Sequence, residues 1–344
     1  MKGCLKLPGA QINPLLIQQL TNKNIAEIPP SPSLSWLPGK YGRLVNKNKE
    51  NIKRHFKGNF FTLTCRSCGR KGKYDVGLML INPEEMEDPV SSIQTTGYFR
   101  CKYCNDAGNW KMPSKFLITS IAGVVADGSF GMKNKCEIGK SLLYDGSWHL
   151  FSSDAETHFL DQLRGEPNNS FIWNRLGDTY EKGNRRELAA CVYEHSVAVD
   201  PGQIESHFTL AAYFVQLGDI EKSAYHFKQV LLGASNYQSL KTEDLREMMA
   251  AGLVELFYIH QYSNGDIPFL PTQEELKAAG IVKEVEKNRV NRKLAINAED
   301  PESLYPVAEM YMGSQINKLP NRLRTLKTEK PSEKVKNRYK KGKK

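Results

Sequence analysis

The sequence predicts an α+β protein of several domains, with β-structure towards the front, helices behind it and a basic tail. Three observations predict this order. Short alternating apolar runs occupy residues 59–153, helical periodicity begins at Ser153, and apolar residues become rare after Lys318. A chain of 344 residues is long enough for two or three domains of ordinary size.

The first segment, residues 1–58, is predicted to be a basic and irregular lead-in. Four prolines interrupt its weak periodicity, and several Lys and Arg residues follow them. One short helix is expected at about Pro14–Thr21.

Residues 59–153 are interpreted as β-structure. Phe60–Thr64 and Phe116–Val125 are rich in aromatic and β-branched side chains, which favour strands. The Asp145-Gly146 pair lies between two further apolar runs and indicates a hairpin. We therefore expect a small β segment at residues 113–153, after a separate module at residues 59–112.

That module is defined by two C-x-x-C pairs, formed by Cys65 with Cys68 and by Cys101 with Cys104. Each pair can fill two corners of a metal tetrahedron. Gly69 and Asn105 follow the pairs, and both residue types tolerate a left-handed backbone that turns N–H groups towards the sulfurs. The pattern resembles a zinc ribbon with two metal knuckles. The 32-residue gap between the pairs is long and is predicted to contain an inserted acidic loop at Asn82–Pro89.

Zinc is the predicted cofactor, although spacing alone leaves iron in a rubredoxin-like site as an alternative. A redox role is less favoured, because it needs one reactive pair rather than two matched pairs. Four thiolates close the coordination sphere, so the metal is predicted to be structural. The remaining cysteines, Cys4, Cys136 and Cys191, are interpreted as incidental, and none of the seven histidines forms a metal-binding pair on a helix.

Helical patterning continues from residue 154 to about residue 297. Ser153 with Glu156 predicts a capping box for the first helix, and Thr272 with Glu275 predicts another. We divide this part into helical repeats at residues 154–262 and additional helices at residues 263–317.

Residues 170–203 resemble the 34-residue tetratricopeptide repeat pattern W-x₂-L-G-x₂-Y…A-x₃-F…P. The matching positions are Trp173, Leu176, Gly177, Tyr180, Ala189, Tyr193 and Pro201. Residues 204–237 match more loosely, with His207 in the Trp position. The resemblance implies antiparallel helix pairs in a short solenoid, and an unrelated helical bundle is the alternative.

Tetratricopeptide repeats bind peptides in a groove lined by the first helix of each pair, so the resemblance implies a protein or peptide partner. A carboxylate clamp is not expected, because Asn174 and Asp178 stand where that subclass uses Lys or Arg. By repeat position, the predicted partner-binding residues are Phe171, Asn174, Asp178, Glu181, Glu205, Phe208, Ala212 and Val215.

Charge is distributed unevenly, and it supports a second hypothesis. Residues 318–344 contain 12 basic and 2 acidic residues, whereas residues 111–317 contain 20 basic and 28 acidic residues. The tail is predicted to be disordered, because it has too few apolar residues for a core. Nucleic acid is an alternative partner, contacted by the basic ribbon and the tail. A solubilising tail and a ribbon whose aromatic residues pack its own core are the simpler interpretations.

The sequence contains no nucleotide-binding glycine motif, no nucleophile elbow and no zinc-protease motif. We therefore predict a protein that is not an enzyme and has no evident small-molecule substrate. No apolar run approaches the length of a membrane span, and the first 30 residues lack the features of a secretory signal. The expected function is that of a zinc-containing cytoplasmic adaptor that binds a protein partner.

Overall fold

The computed structural model describes residues 11–82, 84, 92–125, 135–288 and 294–326. The fold is mixed α/β, with two small sheets followed by a helix-rich region. The chain forms two compact units, one ending at Asp219 and one beginning at Ile220. The segment predicted as helical repeats, residues 154–262, is therefore divided between the two units.

In its described residues, the first unit contains two helices, then six strands and five further helices. The helices are α1 (Pro14–Thr21), α2 (Tyr41–Lys47), α3 (Ser114–Val125), α4 (Ser152–Gly165), α5 (Ser170–Lys182), α6 (Arg186–Val199) and α7 (Ile204–Leu217). The strands are β1 (Phe60–Cys65), β2 (Lys71–Asp75), β3 (Met79–Ile81), β4 (Ile93–Thr95), β5 (Trp110–Lys111) and β6 (Cys136–Ile138).

The lead-in is more ordered than predicted, because its few apolar residues enter the helical core. Helix α1 has the predicted bounds, and the Asn13 side chain caps it by accepting from the Leu15 N–H. Leu16 and Ile17 are fully buried, and α1 packs on α4. Helix α2 lies against α6, where the carboxylate of Glu194 accepts hydrogen bonds from the first N–H groups of α2.

Both sheets have three strands and belong to one aromatic core. In the first sheet, β1 lies between β2 and β5, and both neighbours are antiparallel to it. In the second sheet, β3 pairs antiparallel with β4 and parallel with β6. Alternate residues of β1 face inwards, as the period of a half-buried strand requires. The shared core includes Phe61, Leu63, Tyr74, Phe99, Trp110 and Phe116.

The prediction of a strand at Phe116–Val125 was wrong, since these residues form helix α3. A short apolar run fits either structure by periodicity, and Pro113 with Ser114 just before it is a helix-start signal. The predicted hairpin is reduced to a single antiparallel bridge between Leu142 and Trp148. β6 pairs with β3, and Phe116 enters the core that the two sheets share, so residues 113–153 are in contact with residues 59–112.

Helices α5 and α6 form a closely packed pair joined by a three-residue turn. Trp173 is fully buried, and its indole N–H donates to the Pro167 carbonyl at 2.8 Å. A Cβ atom on Gly177 would lie 2.4 Å from the ring of Tyr193, so only glycine permits this approach of the two helices. Helix α7 packs on α6, and the Asn174 amide donates to Ser206 at 2.9 Å.

Glu156 does not form the predicted capping box. The N-terminus of α4 has no side-chain cap, and the Glu156 carboxylate points into the interior, where it is fully buried. It accepts hydrogen bonds from the side chains of Asn13, Tyr98, Arg100 and Tyr180. A carboxylate occupied by these buried donors has no lone pair oriented towards the helix end.

The second unit is helical in its described part. It contains α8 (Ile220–Gly233), α9 (Thr242–Tyr262), α10 (Gln273–Ala278), α11 (Val282–Asn288) and α12 (Tyr305–Tyr311). The predicted capping box of Thr272 and Glu275 is present at the start of α10. Arg246 on α9 forms a buried ion pair with Glu309 on α12, with an N–O distance of 3.0 Å.

The predicted tail at residues 318–344 begins with residues that are packed. Leu319 and Leu326 are buried, and the backbone N–H groups of Thr325 and Leu326 donate to Glu309. The remainder of the tail, the acidic loop apart from residues 82 and 84, and Cys4 lie outside the described residues. Within the described part of the chain, no helix is both long and apolar enough to cross a membrane.

We predict that His207 makes the stability of the first unit depend on pH. Burial lowers the pKa of His207 to about 4, despite the Pro201 carbonyl and Asp200, which raise it. In the unfolded chain the pKa of this histidine is about 6.5. The contribution of His207 to the free energy of unfolding is therefore complete above pH 6.5 and decreases as the pH falls towards 4. Between pH 7 and 5 the loss is expected to be about 2 kcal/mol.

Chemical denaturation at both pH values measures this loss. In His207→Gln, which cannot titrate, the difference between pH 7 and 5 should shrink by about the same amount. An identical pH dependence in the variant and the natural protein would contradict the assignment.

Candidate functional site

The four predicted metal ligands meet in one cluster. The sulfur atoms of Cys65, Cys68, Cys101 and Cys104 all lie within 4.8 Å of one another. Cys65 Sγ is 3.7 Å from Cys104 Sγ, and Cys68 Sγ is 3.6 Å from Cys101 Sγ. These separations are too long for disulfides. They match the spacing of about 3.8 Å between sulfurs of a tetrahedron with metal–sulfur bonds of about 2.3 Å.

Two backbone turns with the same hydrogen bonds place the sulfurs. In each turn, the N–H of the first cysteine donates to a carbonyl five residues later, at 2.9 Å for Cys65 and 2.7 Å for Cys101. Gly69 and Asn105 follow the second cysteines and adopt φ angles of +71° and +61°. The two residues thus have the left-handed backbone that their types predict.

Backbone donors surround the sulfurs and favour thiolates. Burial raises the pKa of the Cys101 thiol, but the N–H groups of Cys104 and Tyr103 donate to its sulfur and lower the pKa to about 7. For Cys68 and Cys104, burial dominates and raises the thiol pKa. The cluster therefore offers one readily ionised thiol, that of Cys101, and two, those of Cys68 and Cys104, that need a metal ion to remain deprotonated at neutral pH.

The donor set fits zinc, since four sulfurs at tetrahedral spacing are the ligand set of structural zinc sites. All four positions are filled by protein atoms, so the arrangement leaves no place for a reacting water. What a metal would supply here is cross-linking: it would join the turn after β1 to the turn before β5. Such a link organises a small domain whose core is thin.

Asn105 also fastens the second turn to the lead-in. Its side-chain amide donates to the carbonyls of Ile12 and Pro30, both at 2.8 Å. Arg100 completes this junction by donating to the Asn105 carbonyl and to Glu156. The backbone role of Asn105 was predicted from the sequence, but these two hydrogen bonds were not, because their acceptors are more than 70 positions away.

The aromatic residues near the cysteines pack the interior. Tyr74, Tyr98, Phe99 and Trp110 are all buried, and their rings contact one another or Tyr180. Tyr103 is half-buried with Arg70 over its ring. This arrangement agrees with the simpler interpretation, in which these aromatics form a core rather than a surface that stacks on bases.

The eight predicted partner-binding residues lie on α5 and α7, and seven of them are partly exposed. Asn174 is the exception, because it is fully buried against Ser206 and contributes to packing between the helices. Phe171 is also in contact with Tyr144, in an edge-to-face arrangement at 5.1 Å. The half-buried residues are Phe171, Asp178, Glu181, Glu205, Phe208, Ala212 and Val215.

The face shared by α5 and α7 is acidic. Burial raises the pKa of Asp178 and Glu181, and Asp178 raises the pKa of Glu181 further. Arg175 lies between α5 and α7 and pairs with Asp178, at 2.9 Å, and with Glu205. Arg175 was not among the predicted residues, although its i,i+3 spacing to Asp178 is a visible ion-pair signal.

The chain is similar to known proteins over only 73 residues. No family model matches the chain, and no solved structure matches it. The peroxisomal targeting signal receptor of Saccharomyces cerevisiae is 30% identical over 73 residues, and that of Candida glabrata is 29% identical over 73 residues. Each match covers 21% of this chain and 12% of the receptor, so the chain spans only a small part of these relatives.

We predict that Cys68→Ser lowers the zinc content of protein purified without chelators. Serine is a poorer zinc ligand than a thiolate. Loss of the zinc should destabilise the ribbon by several kcal/mol, because metal binding contributes about 10–16 kcal/mol to such folds. Elemental analysis and thermal unfolding measure the two effects. Cys136→Ser is the matched control, because Cys136 is also half-buried but lies outside the cluster. Equal zinc content in both variants would contradict the assignment.

Proposed function

We propose that the chain is a non-catalytic adaptor that binds a protein partner by holding a peptide against the face shared by α5 and α7. The observation that carries the proposal is this partly exposed face, which combines three carboxylates with apolar side chains. It occupies the positions by which tetratricopeptide repeats bind peptides, and the close Gly177–Tyr193 contact agrees with that repeat.

The similarity to two peroxisomal targeting signal receptors supports a role in peptide recognition. By their names, those proteins receive a targeting signal, which is a segment of another protein. The similarity extends over 73 residues, about the length of two 34-residue repeats. We transfer only the general role of binding a protein segment to this chain.

The charge of the face favours a peptide with a basic side chain. Arg175 pairs with Asp178 and Glu205, and Lys182 and Arg186 act on Glu181, yet burial still raises the pKa of Asp178 and Glu181. A cation from the ligand would therefore stabilise the charged forms of these carboxylates. On α7, Phe208, Ala212 and Val215 offer half-buried apolar surface for a neighbouring side chain. A ligand recognised only by a terminal carboxylate would be repelled.

In this proposal the metal is zinc, and its role is structural. A site closed by four thiolates has no coordination position for a substrate, which supports a function without catalysis. We also propose a cytoplasmic location, because thiolates that bind metal must remain reduced. The adaptor would thus combine a metal-stabilised ribbon with a peptide-binding helical layer.

Binding of peptides from a random phage-displayed library tests the proposal. We predict that the protein enriches peptides with at least one Lys or Arg beside an apolar residue. Ala212→Arg should weaken binding of an enriched peptide at least about tenfold, because it adds bulk and like charge where the ligand would lie.

Ala198→Arg is the matched control, since it makes the same change on an exposed position of α6. It should leave peptide affinity unchanged. Equal loss in both variants, or enrichment of acidic peptides, would contradict the proposal. Partner capture from extract that disappears on nuclease treatment would instead favour the nucleic-acid alternative.

A further inference from the structure

The ribbon and the turn between α5 and α6 line a common cleft. Its volume is about 830 Å³, within the range of small-molecule binding sites. The ribbon contributes one wall, the first turn of α6 contributes another, and the lead-in around Lys49–Arg54 forms an edge. None of the residues assigned to the metal cluster or to the peptide-binding face lines this cleft.

The cleft is strongly basic. Seven of its lining residues are Lys or Arg, and three are Asp or Glu, which leaves four positive charges in excess. Two of the carboxylates, Asp75 and Glu187, already pair with Arg54 and Arg185. Glu50 is therefore the one lining carboxylate in the described part of the chain that no ion pair joins to a cation.

Arg186 is the residue that most requires an explanation. It is 6% exposed, and its Nη2 atom is buried without a hydrogen-bond partner among the described residues. A buried guanidinium N–H group without an acceptor costs free energy, because its lost hydration is not replaced. Glu181 and Glu187 already interact with the charge of Arg186, so what the Nη2 atom lacks is a hydrogen-bond acceptor rather than a counter-charge. Arg186 also lines the cleft, where an anion could accept from its guanidinium.

The N-terminus of α6 also favours an anion. Arg186 begins α6, and the residue before it, Arg185, provides no side-chain cap. The first N–H groups of a helix lack partners within the helix, and its dipole favours negative charge at this end. The buried guanidinium therefore favours an anion in this cleft, and the dipole of α6, which Glu187 in the first turn already offsets in part, acts in the same direction.

We propose that this cleft binds a small ligand through a phosphoryl group, with Arg186 as its central hydrogen-bond donor. A phosphate monoester carries a charge of about −1.5 to −2 at neutral pH, so it gains more from four excess cations than a single carboxylate does. A guanidinium can also donate two parallel hydrogen bonds to phosphate oxygens.

The rim offers space for a flat organic group attached to the phosphate. Phe60 lines the cleft and is 53% exposed, and the Lys73 ammonium lies over its ring at 5.2 Å. An exposed aromatic ring beside cations can stack on a nucleobase. Two sources supply such a phosphoryl group, inorganic phosphate and a nucleotide, and a binding experiment distinguishes them.

Isothermal titration calorimetry at constant ionic strength, with inorganic phosphate and with adenosine 5′-monophosphate, tests the proposal. We expect saturable binding that weakens at least about tenfold in Arg186→Met, because that variant loses the charge-assisted donor. Lys53→Met should weaken binding less, and because Lys53 is exposed, this variant tests the site without risk to folding. Arg164→Met removes an exposed cation outside the cleft and should bind as the natural protein does.

Equal affinity for both probes would identify the phosphoryl group as the whole recognised unit. Tighter binding of the nucleotide, reduced to the phosphate level in Phe60→Ala, would identify a nucleotide ligand. The absence of saturable binding, or equal weakening by Arg164→Met, would overturn the proposal. Binding of an oligoribonucleotide without any response to the two small probes would also overturn it, in favour of a nucleic-acid surface.

Discussion

The buried carboxylate of Glu156 is the interaction on which the first unit depends. It accepts hydrogen bonds from the lead-in through Asn13, from the ribbon through Tyr98 and Arg100, and from α5 through Tyr180. Burial and the carboxylate raise the pKa of both phenols, which therefore remain donors. Removing one partner of such a buried charged group typically costs about 3–5 kcal/mol. Glu156 thus connects three segments that the sequence presents as separate modules.

This connection relates the metal cluster to the helices. Arg100 precedes Cys101 and links Glu156 to the carbonyl of Asn105, while the Asn105 amide holds the lead-in. A metal that orders the second cysteine turn would consequently also order the donors of Glu156. In the proposed adaptor, zinc would stabilise the α5–α7 face indirectly, because the cysteine cluster belongs neither to that face nor to the basic cleft.

Features set by neighbouring residues could be predicted from the sequence, whereas features set by distant residues could not. The cysteine spacing predicted the cluster, and Thr272 with Glu275 predicted the capping box of α10, because each signal is local. The apolar run at Phe116–Val125 was wrongly predicted as a strand, since helix and strand periodicities coincide in so short a run. The role of Glu156 was hidden because its donors Asn13 and Tyr180 are 143 and 24 positions away. Arg186 gave no signal, since an unpartnered guanidinium is visible only when its surroundings are known.

Hydrogen exchange measured by mass spectrometry, before and after metal chelation, tests most directly whether Glu156 couples the ribbon to the helices. The account predicts that chelation accelerates amide exchange in the ribbon and also in α4 and α5. Glu156→Gln should accelerate exchange in α4 and α5 even with metal bound. Acceleration confined to residues 59–112 after chelation, with α4 and α5 unchanged in both experiments, would contradict the account.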